Sequence, residues 1–206
     1  MKTCLDNFQV IYFVHDMKSI RKIADKNRYT LLSLLVLVIG AGWIWITRVQ
    51  PGSATASDIP APRSGFQAPT FTLESNTGEK FSLVDQKDKV LLINFWTSWC
   101  PPCRAEMPAI QQVYEDYQDN GLVVVGVNAT DQDDVIEAKS FVSENQLSFP
   151  ILFDTNGEVS RQYNLHSLPT SYFIDQHGII QDVVVGGPMA EALLRSRIER
   201  MLEGSK

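Results

Sequence analysis

The stretch FWTSWCPPCRAEMP, Phe95 to Pro108, holds two of the chain's three cysteines, with two tryptophans before them and an acid after them. Cys100 and Cys103 flank two prolines at a spacing of one helical step, so their sulfurs can close a small disulfide ring. Cys100 stands where an apolar, strand-like run gives way to a helix-like segment. The unpaired N–H groups and the dipole of a helix start favour negative charge there. Its thiol is therefore expected to ionise more readily than a free cysteine, giving the thiolate that attacks a disulfide. Pro101 and Pro102 have no N–H to lose in a first helical turn and hold it rigid. In the cycle these residues allow, Cys100 attacks a substrate disulfide and Cys103 then attacks the mixed disulfide, releasing reduced substrate. Run backwards, the same steps oxidise a dithiol.

Other uses of the pair fit less well. A structural zinc site takes four ligands, and the chain has no second CxxC. A purely structural disulfide over so short a loop would constrain the unfolded chain little. A Cu(I) module built from Cys100, Cys103 and His166 stays open as an alternative, because thiolate and imidazole suit that ion. His15, His166 and His177 have no mutual spacing of a metal site, so no metal is expected. Cys4 lies far from the other two, and one pair with an orphan is not the framework of a disulfide-stapled domain.

The elements that must position the pair follow from apolar patterning. VLLINFW, Val90–Trp96, and LVVVGVN, Leu122–Asn128, are nearly continuous apolar runs, expected as strands covered on both faces. Residues 101–119 between them, apolar at Ile110, Val113, Tyr114 and Tyr117, read as a helix, which makes the two strands parallel. There follow a helix over Asp133–Gln146, a strand over Phe149–Asp154, a short helix over Val159–Tyr163 and a strand Ser171–Ile174 just after Pro169. A partner strand over Gly178–Gly186 and an amphipathic helix over Pro188–Leu202 close the chain. Upstream, Phe71 and Leu73 pair with Phe81 and Leu83 across a turn at Asn76–Gly78, a small hairpin. The fold class is α/β, a mixed central sheet flanked by helices.

The 206 residues, 44% hydrophobic and 20% charged, fit one packed domain plus an appendage and exclude a solenoid or a disordered chain. Residues 30–47 are an uncharged run of eighteen, near the lower limit for a helix crossing a bilayer core of about 30 Å. Tyr29, Trp43 and Trp45 sit where interfacial rings prefer to be, and Lys18, Arg21, Lys22, Lys26 and Arg28 crowd the N-terminal flank. Residues 1–29 are thus expected in the cytoplasm, 30–47 as a transmembrane signal anchor, 48–67 as a Pro-, Gly- and Ser-rich linker, and 68–206 as an extracytoplasmic domain. A cleaved signal, with Ala54–Ala56 as the cleavage site, is the alternative. Met17 begins a complete basic n-region of its own and is a candidate start. Residues 49–206 carry eleven Lys and Arg against twenty-one Asp and Glu, which argues against a nucleic-acid partner.

Strand, CxxC, helix and a proline before a later strand, in that order, resemble the thioredoxin superfamily. More narrowly, APTFTL, GEKFSL, INFWTSWCPPCRAEMP, LPT and the extra helix between the second and third sheet strands resemble the membrane-anchored thiol–disulfide oxidoreductases of the TlpA/ResA type, across residues 66–203. The resemblance implies a thioredoxin-like fold with an N-terminal hairpin and an inserted helix. It makes Cys100 the nucleophile, Cys103 the resolving cysteine and Pro169 a cis-proline lying against the pair. Leu168 is then free to bind an extended substrate by strand addition. Glu106 matches the acid that tunes cysteine protonation. Trp99, Pro101, Pro102, Leu168 and Pro169 become the substrate-facing set, with Trp96 and Trp99 expected to pack around the pair and limit solvent access. Asn94 stands where cytoplasmic thioredoxins carry a buried aspartate, so that acid's proton-shuttle role does not transfer.

The implied function is a membrane-tethered reductase of disulfides in exported proteins, in cytochrome c maturation or copper-oxidase assembly, with a transmembrane electron donor as partner. The only redox group implied is the Cys100–Cys103 disulfide itself, with no further cofactor. A thiol oxidase differs only in redox poise. A peroxidase fits less well: Thr97 precedes Cys100 by three residues, but the second cysteine and the lack of a nearby arginine before Arg104 favour exchange.

Overall fold

The structure, a computed structural model, describes residues 32–43 and 60–204. The chain divides after Ser53. In the first part residues 32–43 form a helix, α1. Among the described residues no helix is long and apolar enough to cross a membrane; the remaining positions of the predicted span, 30–31 and 44–47, lie outside the described residues, as do 1–29 and most of the linker.

The second part carries β1 (Thr72–Glu74), β2 (Lys80–Ser82), β3 (Val90–Trp96), α2 (Pro101–Tyr117), β4 (Leu122–Asn128), α3 (Val135–Glu144), β5 (Ile151–Phe153), α4 (Glu158–Gln162), β6 (Thr170–Ile174), β7 (Ile180–Val185) and α5 (Glu191–Glu203). β1 and β2 form the predicted hairpin, with Leu73 opposite Phe81. The other five strands form one sheet in the order β5-β4-β3-β6-β7. β3 runs parallel to β4 and β4 to β5, whereas β6 and β7 are antiparallel to their neighbours. This is the mixed, helix-flanked sheet read from the sequence, a thioredoxin-like fold.

Central β3 is buried along its whole length, and its side chains alternate between two cores as a strand's period of two requires. Val90, Leu92 and Trp96 join α2, α3 and α5 on one face; Leu91, Ile93 and Phe95 join Phe71, Val159 and Tyr163 on the other. Each such aliphatic or aromatic side chain taken from water contributes about 1.5–3 kcal/mol, so β3 is the strand on which both layers depend. Asn94 falls among the even positions and therefore points under α2. Ser171, paired with Asn94 across β3 and β6, lies on the same face as Phe173.

Residues 60–67 depart from the linker expectation. Pro60 bridges Gln67, Gly65 N–H donates to Ile180 O at 2.8 Å, and Ile180 N–H donates to Phe66 O at 2.9 Å. The segment satisfies main-chain groups at the start of edge strand β7, a use that its Pro- and Gly-rich composition does not announce.

Candidate active site

α2 begins at Pro101, with four residues between it and the end of β3, and Cys100 is its N-cap residue with an extended backbone. Cys100 and Cys103 are joined by a disulfide, S–S 2.03 Å. Cys103 N–H donates to Cys100 Sγ at 3.3 Å, and Arg104 N–H to Cys100 O at 3.0 Å as the first helical bond. When the disulfide opens, that N–H and the helix dipole face the sulfur of Cys100 and stabilise a thiolate there. Cys103 is completely buried while Cys100 keeps 3% exposure, so an incoming sulfur reaches Cys100 first. Pro101 is exposed and Pro102 half-buried, beside the disulfide at its open side.

The turn leading to the pair is clamped from the loop that follows β4. Asp133 accepts Ser98 N–H and Ser98 Oγ–H, both at 2.6 Å, and Asn128 Nδ2 at 2.7 Å. Arg104 Nη1 donates to Ser98 O at 3.1 Å, and its guanidinium lies 4.5 Å from the Phe141 ring centre. The sequence reads Asp133 as the start of a helix; the N-cap is instead Asp134, whose Oδ1 accepts Ile136 N–H at 2.7 Å. The pair of adjacent aspartates is the only local signal that one of them does something else.

The two tryptophans part company, which corrects the expectation that both wall off the cysteines. Trp96, the last residue of β3, is fully buried and packs on Phe141. Trp99 is 58% exposed; Gln132 O accepts its Nε1–H at 2.9 Å, which satisfies the polar edge and leaves the ring open to solvent. It is a fixed apolar surface beside the disulfide rather than a lid over it.

Glu106 is no solvated helix residue. It is 1% exposed on the α2 face that covers β3. Asn94 Nδ2 donates to its Oε1 at 2.8 Å, and Met189 N–H to its Oε2 at 2.9 Å. Burial pushes its carboxyl above the ordinary carboxylate value, opposed by those two donors. Asn94 and Met189, and Ser171 as the second acceptor of the Asn94 amide at 2.9 Å, are partners that spacing along the chain did not reveal. The signal was nonetheless present for Asn94: a polar side chain within a run of buried strand residues needs a partner on the face it points to.

The Leu168–Pro169 bond is cis, as the resemblance implies, and so is Gly187–Pro188, which it does not. Gly186 N–H donates to Pro169 O at 2.8 Å, while the pairings of β6 begin only at Thr170. Among the described residues neither main-chain group of half-buried Leu168 has a main-chain partner. The 187–189 turn presses on both Pro169 and Glu106: a Cβ on Gly187 would stand 2.7 Å from Glu106 Oε2 and 2.8 Å from Pro169 Cγ. Gly187→Ala is expected to destabilise the protein by about 1–3 kcal/mol, the usual cost of forcing an atom into a packed site. Urea unfolding of the oxidised protein checks this, and an unchanged midpoint would count against that close approach.

Among the described residues no group of three or more His, Cys, Asp or Glu side chains is placed to hold a metal. His166 and His177 are exposed, and His15 lies outside the described residues.

A five-stranded sheet of this order, with a CPPC disulfide capping α2 and a cis-proline opening β6, defines a thioredoxin-like thiol–disulfide oxidoreductase. Residues 64–183 match the AhpC/TSA family, and the chain belongs to it. It is 45% identical over 155 residues to the thioredoxin-like protein YneN of Bacillus subtilis, covering 74% of this chain and 86% of that one. It is 35% identical over 159 residues to the thiol-disulfide oxidoreductase ResA of Bacillus thuringiensis, covering 77% and 88%. The crystal structure of StoA from Bacillus subtilis superposes with a TM-score of 0.55 at 31% identity, over 63% of this chain and 96% of that one. The enzyme is a thiol–disulfide oxidoreductase of the ResA and StoA type.

Proposed function

We propose that the enzyme is tethered by residues 30–47 with its catalytic domain outside the membrane, and that it reduces disulfides of exported proteins. Its substrates are apocytochrome c cysteines awaiting haem or copper-site cysteines of respiratory oxidases, and a transmembrane donor returns its electrons. The basic flank and apolar run of the N-terminal region support the tether.

The observation that carries the direction is the buried Glu106 carboxyl beside the cysteines. A carboxylate in that place, one helical step from Cys103, opposes thiolate formation at Cys103 while the helix start still favours the Cys100 thiolate. The less the dithiol's second thiolate is stabilised, the more readily the pair gives up its electrons. In the forward cycle the Cys100 thiolate attacks a substrate disulfide, forming a Cys100–substrate bond and expelling one substrate thiolate. Glu106 takes the proton of Cys103, and the Cys103 thiolate attacks Cys100 Sγ. That step forms the Cys100–Cys103 bond and expels the second substrate sulfur, which takes up a proton. Two electrons pass from the dithiol to the substrate disulfide. The exposed Trp99 ring, Pro101 and Pro102 flank the incoming sulfur, and Leu168, ahead of Pro169, offers its free main-chain groups to an extended segment.

Labelling with a membrane-impermeant maleimide in intact cells tests location and direction together. The expected result is that Cys100, the sulfur nearer to solvent, is labelled without lysis and without added reductant. A pair labelled only after lysis would overturn the location, and an accessible but oxidised pair would favour the oxidase.

A further inference from the structure

Asn94 is fully buried in β3, and both hydrogens of its amide are used: Nδ2 donates to Glu106 Oε1 at 2.8 Å and to Ser171 Oγ at 2.9 Å. Its Oδ1 is equally buried and has no hydrogen-bond partner. An empty buried acceptor is costly, which invites the question of which state of the site fills it. Both neighbours can reverse the direction of their bonds. A serine hydroxyl accepts or donates, and a carboxyl that only accepts when ionised becomes a donor when protonated. The terminal torsion of an asparagine is soft and two-fold, so a half-turn brings Oδ1 to the place of Nδ2. There it would accept from both neighbours at once, and the NH2 group would take the partnerless place that Oδ1 leaves.

We propose that Asn94 is a positioning residue whose amide turns over as Glu106 gains and loses a proton, holding Glu106 in one place as carboxylate and as acid. The inference rests on the role of Glu106 as proton acceptor from Cys103 set out above. The Cys103 S–H proton passes to Glu106 Oε1, and the amide turns so that Oδ1 accepts Oε1–H and the Ser171 hydroxyl hydrogen. The Cys103 thiolate forms its bond to Cys100 Sγ while the bond from Cys100 to the substrate sulfur breaks, the electron pair leaving with that sulfur. Glu106 then releases its proton to the departing thiolate, and the amide and hydroxyl turn back.

The environment suits such a device. Glu106 is faced by Asn94 from β3, by the Met189 N–H and Gly187 from the turn before α5, and by Cys103 one step back on α2, while Ser171 of β6 stands behind Asn94. Of these only the cysteine, with Cys100 bonded to it, is ionisable besides Glu106. An aspartate at position 94 would set a second carboxylate against the first, and the two would have to share one proton.

The direct test follows the side-chain amide signals of Asn94 by NMR in the reduced full chain while pH is raised through the titration of Glu106. The expected result is that they shift with the same midpoint as the Glu106 carboxyl carbon. A second test uses Asn94→Leu and Ser171→Ala and times the two chemical steps separately. Asn94→Leu is expected to slow resolution of the mixed disulfide by about 10-fold, less than the roughly 100-fold or more of a proton-transfer group lost outright, because Glu106 itself remains. Ser171→Ala should slow it less, and attack by Cys100 should be unchanged in both. Amide signals that stay fixed through the titration, or resolution at the parent rate in both variants, would overturn the proposal. If Glu106→Gln also resolves at the parent rate, the role of Glu106 itself fails; if Glu106→Gln is slow and the other two are not, only the role of Asn94 does.

Discussion

Cys103→Ser is expected to stop turnover and leave the enzyme covalently joined to whatever it acts on. The buried sulfur of Cys103 is the group placed against Cys100 Sγ, and a serine hydroxyl at neutral pH supplies no oxyanion to break the mixed disulfide. Cys100 keeps its position at the helix start and the Cys103 N–H contact is a main-chain one, so the first attack survives the substitution. Multiple turnover should fall to the uncatalysed background while a single stoichiometric adduct forms. Non-reducing electrophoresis and mass spectrometry read that adduct, and in cells the attached protein is the natural substrate. Cys100→Ser should give neither turnover nor adduct. Turnover retained in Cys103→Ser would show that substrate sulfur or solvent thiol resolves the intermediate, and Cys103 would lose its assigned part.

Glu106→Gln is expected to make the protein a poorer catalyst and a more stable one. Resolution loses its proton acceptor, a loss of about 100-fold at pH 7 by the usual scale of general base catalysis. The effect on stability has a definite sign. Burial raises the Glu106 carboxyl, so between the unfolded value of about 4.3 and the raised folded value the folded state holds a proton that the unfolded chain has released. Stability therefore falls as pH rises through that window, and the penalty persists above it. A neutral glutamine carries no such penalty and still offers Met189 N–H an acceptor. Melting curves should show Glu106→Gln above the parent at pH 8 and level with it at pH 4. A variant less stable than the parent at pH 8 would mean that the two donors to the carboxylate outweigh its desolvation.

The parts of this structure visible in the sequence are those where a local pattern has one physical meaning. β3 and β4 begin and end where their largely apolar runs do, because a strand covered on both faces takes apolar residues except where, as at Asn94 and Asn128, a polar side chain finds a partner. The start of α2 was marked by Pro101 and Pro102, and the cis bond at Leu168–Pro169 by the resemblance to a family. What stayed hidden depends on contacts between distant segments. Asp133 reaches back 35 positions to Ser98, and Met189 reaches 83 positions to Glu106. Helical spacing could set Glu106 one step from Cys103 but could not say whether that face was covered, since the cover comes from Asn94 and from the turn at 187–189. Trp99 illustrates the reverse limit: an aromatic beside two cysteines suggests enclosure, yet its ring is exposed while its Nε1–H is held by the Gln132 carbonyl of another loop.

The central claim is that Cys100 and Cys103 work as an electron-donating dithiol. The reduction potential of the full chain tests it most directly, measured by tryptophan fluorescence in defined thiol buffers, with Trp96 packed in the same core as both cysteines as reporter. A reductase fed with electrons requires a value near or below about −220 mV, towards the thioredoxin end of the range. A value near about −120 mV would make the enzyme a thiol oxidant and contradict the account.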